Sequence, residues 1–212
     1  MKILILTQYF YPETGAPQNR LFSLANNLKS QGNEIEILTA MPNYPMMKIH
    51  KEYLYKRYVF ERMGGLPIHR GSIYVTEKPG IFYRLLNYFS FVFFSIFVGL
   101  RKVTTPDIII CESPPLFLGI SAVILSKYHH SKLIFNVSDL WPESAEKLNL
   151  VSNKLALWLA YRLEKWLYFK SDMVTGQTQG IVNDINTRFP AVQAYWYRNG
   201  IDLNQFDLTE FQ

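Results

Sequence analysis

Short apolar runs alternate with stretches of helical apolar spacing along the whole chain. Residues 2–7 form the first run and read as a strand. A turn-rich stretch, 8–16, follows with Pro12 and Gly15, and Pro17 suits the first position of a helix. Leu21, Leu24, Ala25 and Leu28 share one face of that helix, which Gly32 ends. Residues 34–39 read as the second strand. Residues 41–63 show no period and are rich in Tyr and Lys, so they are expected to be irregular. Residues 67–75 alternate like a strand, 82–103 read as a long helix, and 107–111 as a wholly apolar strand. After them come a helix at 116–130, a strand at 132–137, an amphipathic helix at 152–170, a strand at 172–175, a helix at 179–188 and a last strand at 193–197.

Repeated strand–helix–strand units predict an α/β fold, one doubly wound, mostly parallel sheet with helices on both faces. Right-handed crossovers bring the carboxyl ends of the strands to one edge. Five segments then meet there: 8–16, 112–115, 138–144, 176–178 and 198–200. Ligands of such sheets sit outside the carboxyl ends of the strands. The convergence therefore predicts a binding site that draws on Gly15 and Ala16, Glu112 and Ser113, Thr178, and Asn199 and Gly200.

Composition bounds the function. The 212 residues are enough for one large domain or two small ones, and 49% apolar with 18% charged content suits a sizeable core rather than disorder. A net charge of +5 suits an anionic partner without choosing between phosphate, a lipid surface and nucleic acid. The single cysteine, Cys111, excludes a disulfide within the chain and reads as a buried structural thiol. The apolar run at the N-terminus is too short for the core of a signal sequence and lacks a small-residue cleavage site. The four histidines do not cluster as zinc ligands, and no nucleophile elbow supports a Ser-His-Asp triad. Neither GxGxxG nor a Walker loop occurs, which counts against NAD and ATP, and no cofactor is expected.

Two segments carry candidate chemistry. The strand at 132–137 runs into NVSDLWPES (136–144), where Asp139, Trp141 and Glu143 follow at its carboxyl end. Core strands need no such ending. A carboxylate placed there orients a hydroxyl or stabilises developing positive charge. The plainer reading makes Asp139 the N-cap of a short helix at 140–146, with Glu143 as a first-turn acid and Trp141 as a packing residue. In YFYPETGAPQNR (9–20), a small-residue turn before a helix presents backbone N–H groups to an anion, and Arg20 lies one turn further on. The plainer reading is a simple turn with Arg20 on a solvated face.

These motifs together resemble a known family. The PETGAP loop (12–17) with Arg20, GNEIEILT (32–39), MPNYP (41–45), NVSDLWPESA (136–145) and RNGID (198–202) are similar to the N-terminal domain of family-4 glycosyltransferases. The subgroup they most resemble makes bacterial surface polysaccharides, the fucosamine transferases among them. The resemblance implies a GT-B architecture of two facing Rossmann-like halves, of which residues 1–205 are the acceptor-binding half. Residues 206–212 then begin the connection to a donor-binding half that is absent. The family's second half carries a pair of glutamates at fixed spacing below basic residues, and no glutamate pair here has that spacing. The implied activity is retaining transfer from a nucleotide-sugar, a UDP-linked N-acetyl deoxyhexosamine, to a lipid-linked glycan, with Asp139 and Glu143 as the catalytic candidates. The leaving phosphate takes the proton in that scheme, so Asp139 positions more than it abstracts. Where family members carry a histidine in this neighbourhood, this chain has Asn136, Ser138 and Asp139. The chain alone is expected to be inactive.

A membrane surface is the other expected partner. Residues 85–100 contain no charge, and Phe91 and Phe94 sit mid-helix, but these residues fall short of the roughly 20 needed to span a bilayer. A helix apolar all round is either a core helix or faces lipid. The preceding KIHKEYLYKRY (48–58) offers Lys51, Lys56 and Arg57 among tyrosines, a pattern suited to anionic headgroups. It lacks a nucleic-acid fold signature, so no nucleic-acid partner is expected. A peripheral place on the inner face of the bacterial membrane follows. Two other readings remain open: a non-catalytic half that binds membrane or partner, and an unrelated doubly wound epimerase or oxidoreductase.

Overall fold

The structure is a computed structural model that describes residues 1–148, 151, 153–198 and 200. Eight strands form one sheet: β1 (Lys2–Leu6), β2 (Glu34–Ala40), β3 (Tyr58–Met63), β4 (Leu66–Gly71), β5 (Ile108–Ser113), β6 (Lys132–Val137), β7 (Met173–Gly176) and β8 (Ala194–Trp196). Their spatial order is β3-β4-β2-β1-β5-β6-β7-β8, and only β3 runs antiparallel to its neighbour. The helices are α1 (Ala16–Ser30), α2 (Ile81–Lys102), α3 (Leu118–His129), α4 (Glu143–Lys147), α5 (Lys154–Lys170) and α6 (Gln179–Arg188). The chain winds outward from β1 through β2 to β4, then returns across α2 to β5 on β1's other side. The β1/β5 boundary is thus a topological switch point, where the loops diverge and leave a crevice at the carboxyl ends.

Strand alternation assigns the two faces. Ile3, Ile5, Ile35 and Ile37 meet Leu21 and Ala25 of α1 on one side. Leu4, Leu38, Ile109, Cys111 and Phe135 meet α2, α3, α5 and α6 on the other. Cys111 is fully buried, and burial pushes its thiol well above the usual value, as suits a structural cysteine. Among the described residues, α1 is the helix on its face, so Ile110, Ile134 and Met173 of β5–β7 keep a partly open bed beside it.

Two expectations fail here. Residues 41–63 are not irregular throughout, because β3 pairs with β4 in a hairpin closed by Gly64 and Gly65. Both glycines have positive φ, 59° and 71°, the conformation that two-residue hairpin turns demand. The second concerns Phe91, a candidate membrane contact on a helix left open between core and lipid. It is 0% exposed and packs in the core, with Phe94 half-buried against Gly71. Phe91 shares the inward phase of Asn87, Ser95 and Val98, which no periodicity reveals in a helix apolar on every side. Lys51, Lys56 and Arg57 are exposed around a 3-10 turn at Lys51–Tyr53.

Candidate functional site

At the switch point a row of polar side chains crosses three strands. Glu112, Asn136 and Thr175 are register neighbours on β5, β6 and β7, directly beyond the apolar row Ile110, Ile134 and Met173. Asn136 Nδ2 donates to Glu112 Oε2 at 2.8 Å, and Thr175 Oγ1 donates to Asn136 Oδ1 at 2.7 Å. From α1, Arg20 Nη2 donates to Glu112 Oε1 at 2.5 Å and to Ser138 Oγ at 3.2 Å. The Ser138 hydroxyl also donates to Glu112. The Gln177 amide carbonyl, turned toward the guanidinium, accepts from Arg20 Nη1 at 2.5 Å and Nη2 at 2.7 Å. The Arg20 and Glu112 side chains are 7% and 3% exposed, so this is a buried ion pair whose remaining polar atoms are hydrogen-bonded. The network ties the end of β5 and the loops after β6 and β7 to α1.

This cluster borders a groove of about 450 Å³ between α1 and the open sheet face. Leu24, Leu28, Ile110, Ile134 and Met173 make its bed, and Arg20, Glu112, Tyr197 and Gly200 line its polar end. Burial pushes the Tyr197 phenol above its usual value; Arg20 opposes that shift and Glu112 adds to it. Arg20 was expected either on a solvated face or beside an anion at Gly15. It is buried instead, and its donors go to Glu112 and Ser138.

The first loop contains its own anion. Glu13 Oε1 accepts from the backbone N–H of Asn43 at 2.7 Å and of Tyr44 at 2.8 Å, and Oε2 accepts from Phe10 N–H at 3.2 Å. Burial pushes the Glu13 carboxyl above its usual range, and these three bonds and nearby Arg70 limit the shift. Arg70, wholly buried, pairs with Glu61 at 2.5 Å and donates to the carbonyls of Ala40 and Tyr11. The PETGAP and MPNYP segments are therefore held together by a carboxylate and a guanidinium. Gly15 precedes the exposed Ala16 that opens α1, and a Cβ there would lie 2.6 Å from Gln18 Oε1.

The two candidate carboxylates part company. Asp139 is exposed at the carboxyl edge, directly after the anchored Ser138, and it accepts from Ser144 Oγ at 2.6 Å. It is not an N-cap: α4 begins at Glu143, with Pro142 in the cap position. Glu143 pairs with Lys147 one turn on and stays outside the network. Trp141 is half-buried with its edge toward Phe117, ring centroids 5.6 Å apart, so it packs. Thr178 caps α6 by accepting from Ile181 N–H at 3.2 Å. Buried Ser113 accepts from Ser138 N–H through its carbonyl at 2.8 Å, which fixes the start of the Asp139 loop. Asn199, and with it most of the RNGID segment, lies outside the described residues.

The sequence placed Glu13 and Gln177 at this edge without assigning either a role, and left out Arg70, Thr175 and Tyr197. Two signals were present. Glu112, Asn136 and Thr175 are each the penultimate residue of their strand, in the phase that faces α1. Arg70 places a permanent charge on β4, an interior strand of the sheet. Among the described residues, no three His, Cys, Asp or Glu side chains gather as a metal site.

The fold is shared with GT-B glycosyltransferases. The catalytic domain of starch synthase IV from Arabidopsis thaliana, bound to ADP and acarbose, superposes with a TM-score of 0.61 at 15% identity, covering 96% of this chain and 52% of that one. HepE from Anabaena, in complex with UDP-glucose, gives 0.57 at 16% identity, covering 99% and 47%. Residues 15–195 match the glycosyl transferase 4-like domain, and the chain belongs to that family. It is also similar to the putative colanic acid biosynthesis glycosyl transferase WcaI of Escherichia coli K12, 29% identical over 140 residues that make up 66% of this chain and 34% of the relative. The chain thus spans about a third to a half of the proteins it matches.

Proposed function

We propose that this chain is the acceptor-binding half of a retaining glycosyltransferase of cell-surface polysaccharide synthesis. The donor is a nucleotide-sugar, a UDP-linked N-acetyl deoxyhexosamine, bound mainly by a second domain. The acceptor is a lipid-linked glycan precursor at the inner face of the bacterial membrane. Two relatives support the reading: HepE is seen in complex with UDP-glucose, and the E. coli relative is named a putative colanic acid biosynthesis glycosyl transferase. The observation that carries it is the anchoring of the Asp139 loop. Arg20 and Glu112 hold Ser138 at the switch point and leave the next carboxylate exposed at the edge shared with the Gly15 turn. There Asp139 orients the acceptor hydroxyl and stabilises positive charge developing on the transferred sugar. The leaving diphosphate takes the proton, so no strong base is required.

The test is reconstitution. The chain is mixed with labelled UDP-N-acetyl sugar and a lipid-linked acceptor, with and without a separately produced donor-binding half. Transfer is expected only in the complete mixture, and Asp139→Asn is expected to lower its rate about a hundredfold or more. Turnover by these 212 residues alone would refute the half-enzyme reading. A complete mixture that transfers nothing from any nucleotide-sugar would refute the transferase reading.

A further inference from the structure

α2, α3 and α5 lie side by side over one face of the sheet. Surface helices ordinarily turn their apolar side inward and a polar side out. α2 does not. Besides its buried side, it returns Phe82, Leu86, Phe89, Phe93 and Phe97 at every third or fourth residue on the outward side, with Phe93 66% exposed. α5 repeats the arrangement with Leu155, Trp158, Leu159, Trp166 and Phe169, all exposed. At 3.6 residues per turn these five positions fall within a stripe about 100° wide. Between the two helices, α3 exposes Ile124 and Tyr128. A continuous apolar surface of this extent marks a contact with a protein or a membrane.

Charge decides between the two. α2 and α3 contain no carboxylate, and the single one on α5, Glu164, is buried and paired with Arg188 at 2.8 Å. Every exposed charge on the three helices is cationic, four of them on α5. Several lie over exposed rings: Arg101 is 4.0 Å from the Phe97 centroid, Arg162 5.0 Å from Trp158 and Lys165 5.8 Å from Phe169. Aromatic bodies rimmed by long cationic side chains are the pattern of a helix lying at a headgroup boundary. The carboxylates that approach the layer are engaged, Glu146 by the Tyr161 hydroxyl at 2.6 Å and Glu143 by Lys147.

We infer that the α2–α3–α5 layer is the face on which this protein docks onto an anionic lipid bilayer. α2 is long and apolar enough to cross a membrane by length and composition. Its inner side is nevertheless committed to the fold: Ser95 Oγ bonds Ser121 Oγ at 2.8 Å, and the Gly99 carbonyl lies 3.1 Å from His129 Nε2. The helix therefore lies along the interface instead of spanning it. Its N-terminal turns reach the site. Gly71, the last residue of β4, abuts Phe91 and Phe94, so the turns before Phe91 overhang the carboxyl edge of the sheet. There Phe89 packs on Phe117 at 4.8 Å, and Phe117 packs on Trp141, two residues from Asp139. A docked chain would hold the Asp139 loop beside the headgroups. The purpose of this arrangement rests on the lipid-linked acceptor proposed above, while the apolar, cationic surface stands without it.

Sedimentation of the chain with phosphatidylglycerol–phosphatidylethanolamine vesicles, and with phosphatidylcholine vesicles as a neutral control, tests the inference. Binding is expected to the anionic vesicles and at least tenfold less to the neutral ones. The double variant Phe93→Ser/Trp158→Ser should weaken anionic binding at least tenfold, and Arg162→Glu/Lys165→Glu should do the same. All four side chains are exposed, so melting curves matching the parent's show that the variants fold. Unchanged binding by the folded variants would overturn the assignment. So would a lack of vesicle binding together with self-association that these substitutions abolish, which would make the layer an interface between copies. Transfer in the complete mixture with the donor-binding half, onto detergent-solubilised lipid-linked acceptor without vesicles, separates the two proposals: its absence sinks the transferase reading alone, and its persistence without vesicle binding sinks the docking face alone.

Discussion

Replacing Arg20 with Met keeps most of the stem's volume and deletes the guanidinium. Glu112, 3% exposed in the parent, keeps Asn136 and Ser138 as donors but loses its opposing charge. Stripping one partner from a buried pair costs about 3–5 kcal/mol, and the two surviving hydrogen bonds place this case near the lower end, about 3 kcal/mol. For a chain of this size that is a fall in Tm of about 6–12 °C. Most of the cost is the orphaned carboxylate and not the value of the pair. Arg20→Met/Glu112→Gln removes that charge and should recover about 2 kcal/mol. Urea unfolding of the parent, the two single variants and the double variant, followed by circular dichroism, closes the cycle. A cost below about 1 kcal/mol for Arg20→Met, or two single effects that add to within about 0.5 kcal/mol, would refute a buried, coupled pair. Either result would mean that the pair is hydrated in solution and does not anchor the Asp139 loop.

Glu13→Ala strands the buried N–H groups of Phe10 and Asn43 and frees that of Tyr44, and should cost about 2 kcal/mol or more in the same assay; a cost below about 1 kcal/mol would show that the loops hold without it. Glu36 governs part of the acid response. Burial pushes its carboxyl up, but the bonds from His69 and Thr104 together outweigh that and hold it below its ordinary 4.5. A depressed carboxylate lends stability that is complete above its unfolded value and lost as pH falls through the folded one. Glu36→Gln should therefore flatten the loss of stability below about pH 4.5, and parallel acid limbs would disprove the assignment. Exchanging Lys51, Lys56 and Arg57 for Ser removes about 1 kcal/mol of headgroup attraction each, so anionic-vesicle affinity at low salt should drop by roughly a hundredfold. No change would leave the helical layer as the sole contact. Cys111, fully buried with its thiol pushed up, should label with a thiol reagent no faster than the chain unfolds; rapid labelling of folded protein would contradict its burial.

The order of elements was legible because period and punctuation are local. The strand at Lys132–Val137 and the helix at Gln179–Arg188 match their expected limits at both ends, and Pro17 and Gly32 bracket α1 as their chemistry requires. The hairpin strand β3 was hidden because its burial is partial and its neighbours are polar, although Gly64-Gly65 announced the turn. The parallel winding, the shared edge and the motifs that carry the family likeness were all present in the order of residues. Pairings were not. Arg20 and Glu112 lie 92 positions apart, and nothing local tells a guanidinium to choose that carboxylate over an anion at Gly15. Phe91 and Phe93 are the same residue two positions apart, one in the core and one facing solvent. A hydrophobic period gives a side chain's phase around its own helix, whereas burial depends on which neighbour covers that phase. That neighbour is supplied by distant strands and by register across the sheet, and so emerges only once the chain has folded.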